Sequence, residues 1–110
     1  MATKINIQID QGSLFDYDIS IEKIKGNIVS SFTGYEGLGQ IKKHYASNTA
    51  YDFVVTLTEN NINLVFYANT SALMEPGRYQ YDVYLTSNND PIRIVEGIVT
   101  LTPQITATDW

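Results

Sequence analysis

The sequence predicts an all-β domain, an antiparallel sandwich of about seven to eight strands with one short helical turn. Three observations carry this reading. Apolar residues recur at every second position in run after run, and nowhere over a length that would suit a long helix. Turn-forming residues punctuate those runs every ~8 to 12 positions. With 110 residues, 44% of them hydrophobic and 17% charged, the chain has the make-up of one folded domain and not of a disordered tail. A single domain over residues 1–110 is expected, with short arms at 1–3 and 107–110.

The first strand is the unbroken alternation of residues 4–10, with Ile5, Ile7 and Ile9 on one face and polar side chains on the other. Gln11, Gly12 and Ser13 supply turn chemistry, and residues 14–21 resume the pattern with Phe15, Tyr17, Ile19 and Ile21 on one face and Asp16, Asp18 and Ser20 on the other. The chain is expected to fold back on itself here. Residues 24–32 form a third extended stretch, interrupted by Lys25, Gly26 and Asn27. Between positions 33 and 39 three glycines fall in seven residues, which marks a loop between strands. Residues 38–45 read as the next strand, and the polar residues 46–49 as a loop.

Residues 51–58 direct Phe53, Val55 and Leu57 inward, and residues 62–67 do the same with Ile62, Leu64 and Phe66. Glu59, Asn60 and Asn61 between them suit a hairpin, because asparagine tolerates the left-handed conformation better than other non-glycine residues. A single helical turn is expected over residues 70–74, with Asn69 or Thr70 as N-cap and Pro76-Gly77 ending it. Residues 78–85 give the clearest strand, with Tyr79, Tyr81, Val83 and Leu85 on one face, of which Tyr79, Tyr81 and Val83 are expected inward. A turn at residues 87–91 sends the chain back through residues 92–102, and Gly97 in mid-strand should mark a bulge or a crossing backbone. So many short strands with regular turns point to an immunoglobulin-like sandwich.

Composition removes several function classes. The chain has no cysteine, so disulfides, thiolate catalysis and cysteine-bound zinc are excluded. Seven basic residues against twelve acidic ones leave a net charge of −5, the wrong sign for binding nucleic-acid phosphates. Apolar runs such as residues 64–67 fall far short of the ~20 needed to cross a bilayer, and the start lacks the apolar stretch of a signal peptide, so neither membrane nor secretion is expected.

Chemically active constellations are sparse. The one histidine, His44, stands beside Lys42 and Lys43 and reads as a surface residue. Asp16 and Asp18 share one strand face at a spacing of ~7 Å, which could serve a carboxylate pair or part of a calcium site, but a solvated strand face accounts for them as well. The glycines of residues 34–39 match no phosphate-loop spacing. Asn69-Thr70-Ser71 fits a glycosylation sequon without a secretory context to give it meaning. No catalytic residue, cofactor or metal is assigned. Trp110, preceded by Thr108 and Asp109 on a polar tail, is the aromatic most suited to insertion into a neighbour, and these three are the candidate partner-binding residues.

Pro76-Gly77-Arg78-Tyr79-Gln80-Tyr81-Asp82-Val83-Tyr84-Leu85, a turn, and then residues 92–106 resemble a recurrent ending of small phage and prophage virion proteins. That ending reads P-G-x-Y-x-Y-D-[VIL]-x-L, a turn, and [LI]-x-G-x-V-x-[VL]-x-P-x-[VI]-T. Phe32-Thr33-Gly34-Tyr35 with Gly39-Gln40-Ile41-Lys42 resembles an upstream T-G-Y segment of the same family, and residues 61–72 resemble its hairpin strand and helical turn. The family often continues with arginine after its last threonine, where this chain has Ala107 after Thr106. The resemblance is to tail-associated β-sandwich proteins, similar to the N-terminal domain of baseplate receptor-binding-device proteins. It implies a non-enzymatic virion part, made in the host cytoplasm and acting as a tail, collar or fibre-attachment adaptor. Its implied partners are other virion structural proteins and copies of itself, with no nucleic acid and no membrane. A capsid decoration or cement protein, or a receptor- or carbohydrate-binding module, is the alternative.

Overall fold

The computed structural model describes residues 3–24, 32–43, 49–87 and 90–103. Among the described residues eight strands form: β1 (Thr3–Lys4), β2 (Ile7–Asp10), β3 (Phe15–Ser20), β4 (Glu36–Lys42), β5 (Tyr51–Leu57), β6 (Asn61–Phe66), β7 (Gly77–Ser87) and β8 (Asp90–Thr102). A short helix α1 (Ala68–Ser71) and a 3-10 turn at Ile21–Lys23 complete the described elements. The strands run in the order β1-β8-β7-β4-β5-β6-β3, with β2 also paired to β8.

This order is that of an immunoglobulin-like sandwich. Lettered along the chain with β1 and β2 as A, the strands pair as C-F-G (β4-β7-β8) and B-E-D (β3-β6-β5), the two sheets of that fold. Strand β5 belongs to both. Its first residues pair with β4 through Gly39↔Phe53 and Ile41↔Tyr51, and its later ones with β6 through Val55↔Leu64 and Leu57↔Ile62. Phe53 sits at the switch, edge-on to Phe66 at 5.5 Å and to Tyr81 at 5.8 Å between ring centroids. Each such pair adds about 1 kcal/mol beyond the area it buries, and together they tie the two sheets.

The expected inward faces are found. Ile7, Ile9, Phe53, Ile62, Leu64, Phe66, Tyr79, Tyr81 and Val83 are buried, while Ile5, Val55 and Leu57 are half-buried against the same core. Tyr79 and Tyr81 bury their rings because each hydroxyl finds a carbonyl, Glu75 at 2.6 Å and Ile5 at 2.5 Å. Burial and neighbouring Tyr51 and Glu75 raise the Tyr79 hydroxyl above the usual tyrosine range. Burial pushes the Tyr81 hydroxyl further above it.

Four local expectations need correction. The turn at residues 11–13 forms, with Gly12 at φ 75° and Ser13 N–H donating to Asp10 O at 3.1 Å, but it does not make a hairpin. It carries the chain across to the other sheet, where β3 pairs antiparallel with β6 (Phe15↔Phe66 to Ser20↔Asn61). The sandwich is also not wholly antiparallel, since β1 and β2 run parallel to β8 (Thr3↔Val95, Ile7↔Val99). Gly97 makes that pairing possible. A Cβ there would collide with the Ile5 carbonyl oxygen and lie 3.1 Å from Tyr81 Cε1, so the crossing backbone is real. The bulge is elsewhere, where the β7–β8 register shifts between Val83↔Val95 and Tyr84↔Arg93.

The glycine-rich stretch is strand and not loop from Glu36 onward. Gly37 and Gly39 face inward beneath Val55 and Phe53, whose side chains fill the space a Cβ would need. The helical turn starts two residues earlier than expected, at Ala68 with Tyr67 as N-cap and no side-chain cap bond. Ser71 decides that phase. It is fully buried, accepts a hydrogen bond from Gly12 N–H at 3.0 Å and donates to Ala68 O at 3.2 Å, while Met74 is buried one turn on. The expected extended stretch at 24–32 lies outside the described residues except for its buried ends, Ile24 and Phe32.

Candidate interaction surface

Strand alternation gives each sheet one buried and one outward face, so the outward side chains are the molecule's chemistry. On the large sheet the outward residues of β4, β7 and β8, with Lys4 and Asn6, line a shallow groove of about 830 Å³. Arg93 organises its middle. Its Nε donates to Tyr84 Oη at 3.2 Å and stands 3.5 Å from Asp82 Oδ2, and Nη1 lies 3.9 Å from Glu96 Oε1. The guanidinium also lies over the Tyr84 ring, 5.5 Å from its centroid. Partial burial raises the Asp82 carboxyl above the usual range, with the opposing pull of Arg93 as the next influence. The Tyr84 hydrogen bond raises Arg93 further, so it stays charged.

The small sheet presents a different face. Asn63 Nδ2 donates to both Asp16 Oδ1 at 2.7 Å and Asp18 Oδ1 at 2.8 Å. The strand spacing therefore brings the two acids together as the sequence suggests, but as partners of one amide on an exposed face. Among the described residues no group of three His, Cys, Asp or Glu is placed to hold a metal ion. Beside Asp16 the face turns apolar. Val65 and Val54 continue its row across β6 and β5, and Leu14 and Tyr67 flank the last β3–β6 pair. Leu14 is 62% exposed, Tyr67 53% and Val54 41%.

Sequence reasoning missed this patch, although Leu14 stands in phase with Asp16 and Asp18 and so belongs outside. Leu38 and Ile98, 54% and 38% exposed on the large sheet, were equally visible as apolar residues in the polar phase of their strands. Thr108, Asp109, Trp110 and His44 lie outside the described residues.

No family model matches the chain, and no curated protein is similar to it in sequence. Among solved structures it is similar to Listeria monocytogenes InlP, with a TM-score of 0.51 and 19% identity. That likeness covers 92% of this chain but 28% of the InlP chain, and at such identity it is one of fold alone. The extracellular fragment of novel immune-type receptor 11 from Ictalurus punctatus, stalk region included, superposes with a TM-score of 0.39 and 8% identity, over 100% of this chain and 90% of that one.

Proposed function

We propose that this chain is a non-enzymatic structural domain of a tailed-bacteriophage virion, an adaptor in the tail, collar or fibre attachment that works through protein–protein contacts. The observation that carries the reading is the Pro76-to-Leu85 motif and its return strand, which build the β7–β8 hairpin at the centre of the large sheet. The motif residues are the fold's framework: Gly77 opens the strand at φ 141°, Tyr79 and Tyr81 enter the core, and Gly97 receives the crossing N-terminal strand. Among the described residues no further strand pairs with the outer edges of β2 and β3, and these edges and the outward faces are the surfaces offered to partners. Its partners are other virion structural proteins and further copies of the chain.

Two experiments test this. Purified particles probed with an antibody to the chain, by blotting and by immuno-electron microscopy, should carry it on the tail. Labelling confined to the capsid would replace the reading with a decoration protein, and absence from particles would overturn it. Deleting residues 107–110 should lower incorporation, because burying the Trp110 indole at a neighbour is worth about 2 to 4 kcal/mol at a hot spot. Undiminished incorporation would remove Thr108, Asp109 and Trp110 from the interface.

A further inference from the structure

The outward side chains of the large sheet fall into rows, because paired residues on neighbouring strands stand side by side about 4.8 Å apart. Gln40, Asp82 and Glu96 make the middle row across β4, β7 and β8, with Leu38, Tyr84 and Arg93 on one side of it and Lys42, Gln80 and Ile98 on the other. These rows floor the groove of about 830 Å³, a volume within the ~300 to 1,000 Å³ of small-ligand sites. Its polar groups are each held by a neighbour and keep capacity to spare. Tyr84 Oη accepts from Arg93 Nε and retains its own O–H to donate, while Arg93 still offers Nη2. Gln40 Nε2 donates to Asp52 Oδ1 at 2.9 Å, which fixes the amide and leaves Oε1 to accept. Asn6 Oδ1 accepts from Ile98 N–H at 3.1 Å, which leaves Nδ2 to donate. Donors and acceptors are thus interleaved and held in place before any ligand arrives, an arrangement that suits hydroxyls, which donate and accept at once.

Charge selects against ionic ligands. Lys4 is the register partner of Glu96, Arg93 reaches both Asp82 and Glu96, and Asp82 also feels Lys42, so neither an anion nor a cation meets an excess of the opposite sign. Among the described residues the groove also lacks the apolar centre on which a protein hot spot is built, because Leu38 and Ile98 stand at opposite corners with the polar row between them. Two separated apolar side chains flanking a hydrogen-bonding floor suit a ligand whose rings carry C–H faces and hydroxyl edges. We propose that the groove binds a neutral saccharide chain, with Asn6, Gln40, Tyr84 and Arg93 hydrogen-bonding its hydroxyls and Leu38 and Ile98 meeting ring faces at either end. Such a site works on the free domain as well as on a particle, so it does not depend on the virion reading. A shallow groove binds weakly, and display in many copies strengthens the binding through avidity.

A printed array of neutral and acidic glycans, probed with the labelled full chain, tests it, followed by calorimetric titration with the free oligosaccharide of the strongest neutral spot. Binding should favour neutral glycans and hold within about twofold as salt is raised from ~0.05 to ~0.5 M, since no ion pair forms with the ligand. Tyr84→Phe and Gln40→Ala should each weaken it about fivefold, the loss of one hydrogen bond. Asp16→Ala on the small sheet should leave it unchanged. Both groove positions face outward, Tyr84→Phe keeps the ring beside Arg93, and circular dichroism melts confirm that the variants fold. No binding anywhere on the array, binding confined to acidic glycans and lost in salt, a groove that cross-links to a protein partner and ignores every glycan, or affinity untouched by both groove substitutions overturns the proposal. Particle labelling is scored separately, so failure of the glycan test leaves the virion reading intact, and absence from particles removes that reading alone.

Discussion

The two sheets of the sandwich divide the work between them. The large sheet is organised around β7 and β8, an 11-residue and a 13-residue strand that follow each other in the chain and pair along their whole length. The N-terminal strands lie parallel along β8, held by Ile5 N–H to Glu96 O at 2.9 Å and by Tyr81 Oη to Ile5 O. The small sheet is built from three short strands, and its outer pair joins residues as distant as Phe15 and Phe66. Its inner face is as dry as the other, with Ile19, Ile62 and Leu64 fully buried. What separates the sheets is their outward chemistry: an ion-paired groove on one, an apolar patch beside two acids on the other. Stability is thus shared across the core, and Leu14, Val54 and Tyr67 stay exposed outside it.

The comparison can be broken at its tightest point first. Gly97→Val should cost at least about 4 kcal/mol, since a side chain must displace the Ile5 carbonyl backbone and the Tyr81 ring. Urea unfolding measures it, and a loss below ~1 kcal/mol would show that the N-terminal strand is not fixed where described. Leu64→Ala on the small sheet should cost about 3 kcal/mol through the cavity it leaves at a fully buried site. If it cost much less, the small sheet would be a loosely attached flap.

Tyr81→Phe should cost about 1 kcal/mol by leaving the Ile5 carbonyl without its donor. The loss should depend on pH in a stated direction. The hydroxyl's folded pKa is raised by burial above the unfolded value near 10, so its contribution is whole below that pH and is lost as pH rises toward the folded value. Melts of the two proteins should therefore converge above pH ~10. Leu14→Ser, the smallest effect, should leave stability within ~0.5 kcal/mol because the side chain is mostly exposed.

Much of this was legible in the sequence. Alternation fixed the inward residues of β6 and β7, and Gly97 announced a bulge or a crossing backbone, of which the crossing backbone is the one present. Partner choice was not legible: periodicity says which face of a strand is buried and nothing about which strand lies beside it. The turn at residues 11–13 has hairpin chemistry and still crosses between sheets. Gly37 and Gly39 read as loop residues because the Phe53 and Val55 side chains that cover them come from another strand. The helical turn was misphased because Ser71 answers to Gly12, 59 positions away. The exposed apolar patch of the small sheet hid in single apolar residues on polar phases, which is ordinary on any protein until neighbouring strands gather them.

The claim that binding resides on an outward face, apart from the structural core, meets its most direct test in amide chemical shifts followed as the neutral oligosaccharide is added. The expected result is movement at Leu38, Gln40, Tyr84, Arg93 and Ile98, with small-sheet core positions such as Leu64 still. Spectra that do not change, or that change only at residues away from the groove, would contradict it.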